Sequence, residues 1–78
     1  MTTDTRDFAS VHAAAHAADA AWQTELTRLY GRRAGDARYD GRGRATVELA
    51  RLHEAKLRAD AAEHALWVAH WAARRGVE

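Results

Sequence analysis

The chain has 78 residues, no cysteine, no proline and a formal charge of +1. This length holds one domain at most, and the missing cysteines exclude disulfides and thiolate metal sites, as suits a reducing intracellular setting. No stretch approaches the ~20 apolar residues that cross a bilayer, and the start MTTDTRDFASVH lacks the basic opening and apolar run of a signal peptide. The expectation is a soluble, cytoplasmic protein that makes no membrane contact.

Alanine fills 20 positions, against six leucines, four valines, one phenylalanine and no isoleucine. The net charge is too low for a disordered chain of this composition, and most other residues favour helix. The sequence predicts an all-α domain over residues 1–78 with a thin core. Small chains of this kind rarely bury enough apolar surface unaided, so a homodimer is expected. Charge is unevenly placed. Arg28 to Arg44 holds six arginines against two aspartates, a local +4, while the remainder holds six basic and nine acidic residues, −3.

The first helix is predicted from about Thr5 to Tyr30. Thr3, Asp4 or Thr5 can cap it, Asp4 and Asp7 suit its positive end, and Gly31 can stop it. Phe8, Val11, Ala15, Ala18, Trp22, Leu26 and Leu29 recur at steps of three or four and form one stripe.

A connector follows, YGRRAGDARYDGRGRA from Tyr30 to Ala45, with five arginines and four glycines. A helical hairpin turn needs only a few residues, so this one is long for its task. Arg32, Arg33, Arg38, Arg42 and Arg44 surround Tyr39. Guanidinium forks grip carboxylates and phosphates, and a tyrosine can stack on a base. One reading is a basic tip that binds an acidic protein surface or a nucleic acid. The other is an ordered loop folded onto the helix ends, its arginines paired with Asp36 and Asp40 and Tyr39 packed inward. Neither a P-loop nor a dinucleotide fingerprint is present, and a near-neutral chain does not match a dedicated DNA binder.

The second helix is predicted from Thr46, its cap, to about Arg75, with Gly76 just past its end. Leu52, Ala55, Ala59, Ala62, Leu66, Ala69 and Ala73 form a heptad seam built largely of alanine. Glu54 and Arg58 are placed for an i, i+4 pair. Packed antiparallel against the first stripe, the seam gives a two-helix hairpin, with residues near 12 level with residues near 64 and Leu26 near Ala50. Leu57, Trp67, Val68 and Trp71 lie roughly 100° or more from the seam, at about 100° per residue. Exposed together they are an unusual patch for a monomer. They are the expected face for a dimer, which would form a four-helix bundle, or for another partner.

Catalysis is not expected. Serine occurs once, at Ser10, with no nucleophile elbow. Glu25, Glu48, Glu54 and Glu63 sit at ordinary helix-surface spacing, without the Glu-x-x-His pair of a di-iron bundle. An alanine-packed hairpin leaves no room for a pocket. His12, His16, Asp60 and His64 fall at similar heights and could in principle hold zinc. The favoured reading is solvent-facing histidines, with Asp60 and His64 as a helix pair. No metal or other cofactor is assigned. His53 and His70 have no evident partners.

The run LYGRRAGDARYDGRGRATVEL, followed by LHEAKLRA, resembles small uncharacterised phage and mobile-element proteins of GC-rich bacteria. The likeness spans roughly Trp22 to Leu57 and rests on a Trp–Leu helix, a YG…AGDARY connector and a T-x-EL helix start. In such proteins proline often follows the threonine, whereas Val47 follows Thr46 here. The resemblance implies a non-enzymatic inhibitor, anti-CRISPR-like by class, that blocks a host protein or ribonucleoprotein complex. The contact residues would be Arg32, Arg33, Arg38, Tyr39, Arg42 and Arg44, and reversing Arg38 and Arg42 is expected to abolish binding without loss of helix. The alternatives are a small nucleic-acid-binding protein and a structural dimeric scaffold.

Overall fold

The computed structural model describes the backbone of residues 5–76 and the side chains of residues 8–74. Helix α1 spans Thr5–Tyr30, a short helix α2 spans Ala34–Ala37, and helix α3 spans Val47–Gly76. Two 3-10 turns, Gly31–Arg33 and Gly41–Arg44, flank α2. No strand occurs among the described residues. The proposed caps Thr3 and Asp4 lie outside them.

Both inner helix ends carry the expected signals. Gly31 follows α1 with φ +55°, the left-handed conformation that lets a helix stop there without a Cβ clash. Thr46 caps α3: its Oγ1 accepts from the Leu49 amide at 3.0 Å, and its carbonyl accepts from the Ala50 amide at 2.9 Å.

The two long helices lie side by side. Phe8 meets Trp67, His12 meets Glu63, Asp19 approaches Lys56, and Trp22 meets His53. Numbers fall along α3 as they rise along α1, and His12 with Glu63 is within one residue of the expected level. The molecule measures 49 × 21 × 20 Å, with a radius of gyration of 15.8 Å. A compact chain of this length would have roughly 11–12 Å. The shape is a rod, so little of it can be interior.

The alanine seam is only partly inward. Leu52, Ala55, Ala59 and Leu66 are half-buried, while Ala62, Ala69 and Ala73 are exposed. The inward face of α3 also takes Leu49, His53, Lys56, Asp60, Glu63 and His70, all buried or half-buried. This face is turned from the seam by about one residue, toward side chains long enough to bridge to α1. Over the middle of the rod salt links flank the small methyls of Ala15, Ala18, Ala55 and Ala59: His12 Nδ1 lies 2.6 Å from Glu63 Oε2 across the helices, and Lys56 lies 3.9 Å from Asp19 of α1 and 2.5 Å from Asp60 on its own helix. On α1 the expected stripe is buried or half-buried except at its last position. Leu29 is exposed, and Tyr30 takes its place against the core.

Large buried side chains gather at the connector end. Trp22, Leu26 and Leu49 pack with Ala34 and Ala37 of α2, and Tyr30 and Leu52 close the cluster. Alanine does matter here, because α2 can drop onto α1 only where its contact residues are methyls. The expected Glu54–Arg58 pair is not among the ion pairs of the described residues. The local pairs are Glu25–Arg28, Glu48–Arg51 and Lys56–Asp60.

Candidate interaction surface

The connector is an ordered lid on the end of the two helices, pinned by three side chains. The buried Trp22 Nε1 donates to the Gly43 carbonyl at 2.9 Å. Tyr30 Oη donates to the Arg42 carbonyl at 3.0 Å. Arg38 reaches back to α1, where its guanidinium donates to Gln23 Oε1 and Asp19 Oδ1, both at 2.7 Å, and lies 4.7 Å above the Trp22 ring. This guanidinium holds the Asp19 carboxyl below its ordinary range.

Gly43 explains why the second turn contains its glycine. A Cβ there would stand 2.8 Å from the Ala37 carbonyl oxygen and 3.0 Å from Trp22 Cζ2. Only a hydrogen fits between the turn and the indole.

The connector's arginines therefore divide into two groups. Arg38 is built into the fold, and its side chain is only 21% exposed. Arg42 is committed locally: its amide and guanidinium bind the Asp40 carboxylate, with Nη2 2.7 Å from Oδ2, and its Cζ lies 5.9 Å from the centre of the Tyr30 ring. Arg32, Arg33 and Arg44 are exposed and have no ion-pair partner among the described residues. The expected pairing with Asp40 is present, but Asp36 pairs with no arginine among the described residues. Tyr39 does not pack inward; it is 87% exposed. Because Arg38 ties the lid to α1, reversing Arg38 with Arg42 would disturb the fold as well as any surface.

The space beside the lid contradicts the expectation that this hairpin has no room for a pocket. A solvent-open cleft of ≈ 280 Å³ is lined by Trp22, Arg38, Tyr39, Asp40, Arg44 and His53, together with glycine backbone. His53, which the sequence left without a partner, lies against Trp22 with ring centres 4.8 Å apart. Burial lowers its basicity, and the charges of Arg44 and Lys56 lower it further.

The second expected face is at the far half of α3. Trp67 and Trp71 stack with ring centres 6.4 Å apart and are 46% and 50% exposed. Phe8 meets Trp67 edge-on at 5.1 Å, His70 meets Phe8 at 5.5 Å, and Arg74 lies 5.5 Å above Trp71. Trp67, Val68 and Trp71 line an open groove of ≈ 450 Å³ with His64 and Ala72. Leu57 is exposed but is not part of that groove; ten residues along a helix is about 15 Å.

The four residues considered for zinc are committed elsewhere or apart. His12 pairs with Glu63, Asp60 with Lys56, and His16 and His64 are exposed. Among the described residues no group of three or more possible ligands is placed to hold a metal. Among the described residues no helix is long and apolar enough to cross a membrane.

The geometry defines a class: an all-α chain of two long helices whose ordered connector forms a polar, arginine-bearing end. No family model, no curated protein and no solved structure matches the chain.

Proposed function

We propose that the chain is a non-enzymatic protein-interaction module, an inhibitor of the phage or mobile-element type and anti-CRISPR-like in style. It blocks a larger host complex by covering an acidic surface. The observation that supports this reading is the ordered lid, which leaves Arg32, Arg33, Arg44 and Tyr39 exposed at one end of the rod. A rigid lid loses little conformational entropy on binding. Its free guanidinium groups match carboxylates.

The scaffold is an antiparallel helical hairpin, and the descending order of its contact pairs supports that description. Two copies meet through Trp67, Val68 and Trp71 to give a four-helix bundle; burial of each large side chain contributes roughly 1.5–3 kcal/mol. Sedimentation tests this part of the reading: a stable monomer at micromolar concentration refutes the dimer and leaves the lid's role intact.

The test of the inhibitor reading is affinity capture from the host with wild-type bait and with Arg32, Arg33 and Arg44 reversed to glutamate. The expected result is one acidic partner complex, retained by the wild type and lost by the variant. Equal capture by both baits removes the lid from the argument. A nucleic-acid reading is favoured by Tyr39 alone, whose exposed ring beside arginines suits base stacking. That reading demands a gel shift that weakens steeply with salt, and no shift at low salt disposes of it.

A further inference from the structure

We propose that the cleft beside the lid is a binding site for a phosphate group, held between the Arg44 guanidinium and the His53 imidazole. Four charged or titratable side chains line this cleft besides Tyr39. Two are satisfied within the fold: Arg38 by Asp19, and Asp40 by Arg42. Arg44 and His53 have no hydrogen-bond or ion-pair partner among the described residues, and both line the same ≈ 280 Å³ space. The cleft is below the roughly 300–1,000 Å³ of sites that enclose a drug-sized ligand. It suits one compact group rather than a whole substrate.

The chemistry of the lining selects the group. Arg44 offers a planar fork of donors suited to an oxyanion. His53 offers a ring N–H when neutral and two donors when protonated. The Trp22 ring against His53 restricts where the imidazole can go. Tyr39 adds an exposed phenol at the rim, able to donate to an oxygen or to cover an attached ring. The charges around His53 are Arg44 from the lid and Lys56 from its own helix. Arg38 also lines the cleft, but it is bonded to Asp19 of α1. Asp40, the acidic member of the lining, is neutralised by Arg42. The unbalanced charge at the mouth is positive, and an anion cancels it. A phosphate's second ionisation, near pH 6, overlaps that of imidazole, so the pair can share protons over the same range.

The proposal does not depend on the inhibitor reading: phosphate binding is measured on the isolated protein and can fail while partner capture succeeds, or the reverse. The experiment is an NMR titration of the histidine rings against pH in chloride, in acetate and in inorganic phosphate at matched ionic strength, with phenyl phosphate as a further arm. The expected result is an upward move of the His53 midpoint in phosphate but not in acetate, with His16 and His64 unmoved. Arg44→Gln abolishes the move, whereas Arg33→Gln, outside the cleft, retains it. A larger move with phenyl phosphate than with inorganic phosphate identifies an esterified group as the better ligand, and equal moves identify free phosphate. An identical His53 titration in all four solutions overturns the proposal. So does a phosphate response that Arg44→Gln leaves unchanged.

Discussion

Replacing Gly43 by alanine tests the account of the lid most sharply, because one methyl acts on two interactions at once. The added Cβ would stand 2.8 Å from the Ala37 carbonyl oxygen and 3.0 Å from Trp22 Cζ2. Neither neighbour can yield cheaply. The carbonyl belongs to the backbone of α2, and the indole is buried between the long helices with its Nε1 bonded to the Gly43 carbonyl at 2.9 Å. Forcing a methyl into a packed site costs about 1–3 kcal/mol. If the turn moves away to make room, the indole N–H loses its partner, at a similar cost of about 1–3 kcal/mol. The two routes are alternatives, so the expected loss is about 1–3 kcal/mol. At roughly 4–8 °C per kcal/mol for a domain of this size, the melting temperature falls by roughly 4–24 °C. The assay is thermal unfolding followed by far-ultraviolet circular dichroism and tryptophan fluorescence. Gly41→Ala is the control, since nothing lies within 4 Å of its built Cβ; it is expected to be neutral or slightly stabilising. A Gly43→Ala protein that melts with the wild type would refute the claim that the lid is clamped to Trp22.

Thr46→Ala removes the acceptor of the Leu49 amide and should cost about 0.5–2 kcal/mol in the same melt, with no change in the final helical signal below the transition. Arg38→Glu leaves Asp19 and Gln23 without their donor and should lower the melting temperature more than Arg32→Glu or Arg33→Glu, whose parent side chains have no ion pair among the described residues to lose. Stability should fall in two steps on acidification. His53 is a base with depressed basicity in the fold, so the unfolded chain takes up the proton first. Its contribution is complete above its unfolded value of about 6.5 and shrinks as pH falls below that, and His53→Gln should flatten this step. Asp19 is an acid held low by Arg38. Its contribution is present above about 3.9 and is lost as pH falls through its folded value; Asp19→Asn should shrink that second step, to which Asp40 and Glu48 beside their arginines also add, and salt should diminish it because the pairs are exposed in part.

The helices were legible because their signals are local. Periodicity, Thr46 and Gly31 mark ends that depend on a few neighbouring residues, and both ends are where they suggest. The two exposed tryptophans were legible too, since a helix can turn only one face to a single neighbour. What was not legible is where the core sits. The alanine repeat suggested a uniform seam, and its first half with Leu66 does turn inward, but methyl groups bury little surface, and longer side chains one position round the helix share the contact. The role of Arg38 was equally hidden. Five arginines in one connector are alike in sequence, and only the closure of α2 onto α1 brings one of them over Trp22 and beside Asp19. The Gly-Arg-Gly segment held the one available hint, because a glycine near a tryptophan-bearing helix can mark close approach. The cleft and His53 follow from the same closure, which joins residues more than thirty positions apart by a contact that no local pattern encodes.

Placing the core at one end has a consequence for how the rod opens. Near the lid, Trp22, Leu26 and Leu49 are buried and the turn backbone is tied down by side chains. At the other end the helices are joined by Phe8, Trp67 and His70, which are half-buried or exposed. Local opening follows the density of buried apolar contacts, so the ends should separate before the lid does. Amide exchange should therefore be slowest at residues 22–26 and 49–53 and quicken along α3 beyond Leu66. A second copy docked on Trp67, Val68 and Trp71 would reverse this gradient selectively, slowing exchange around residues 64–72 as concentration rises while leaving the lid unchanged. Uniform exchange along both helices would show that the rod opens as one unit, and would sink the assignment of its stability to the connector end.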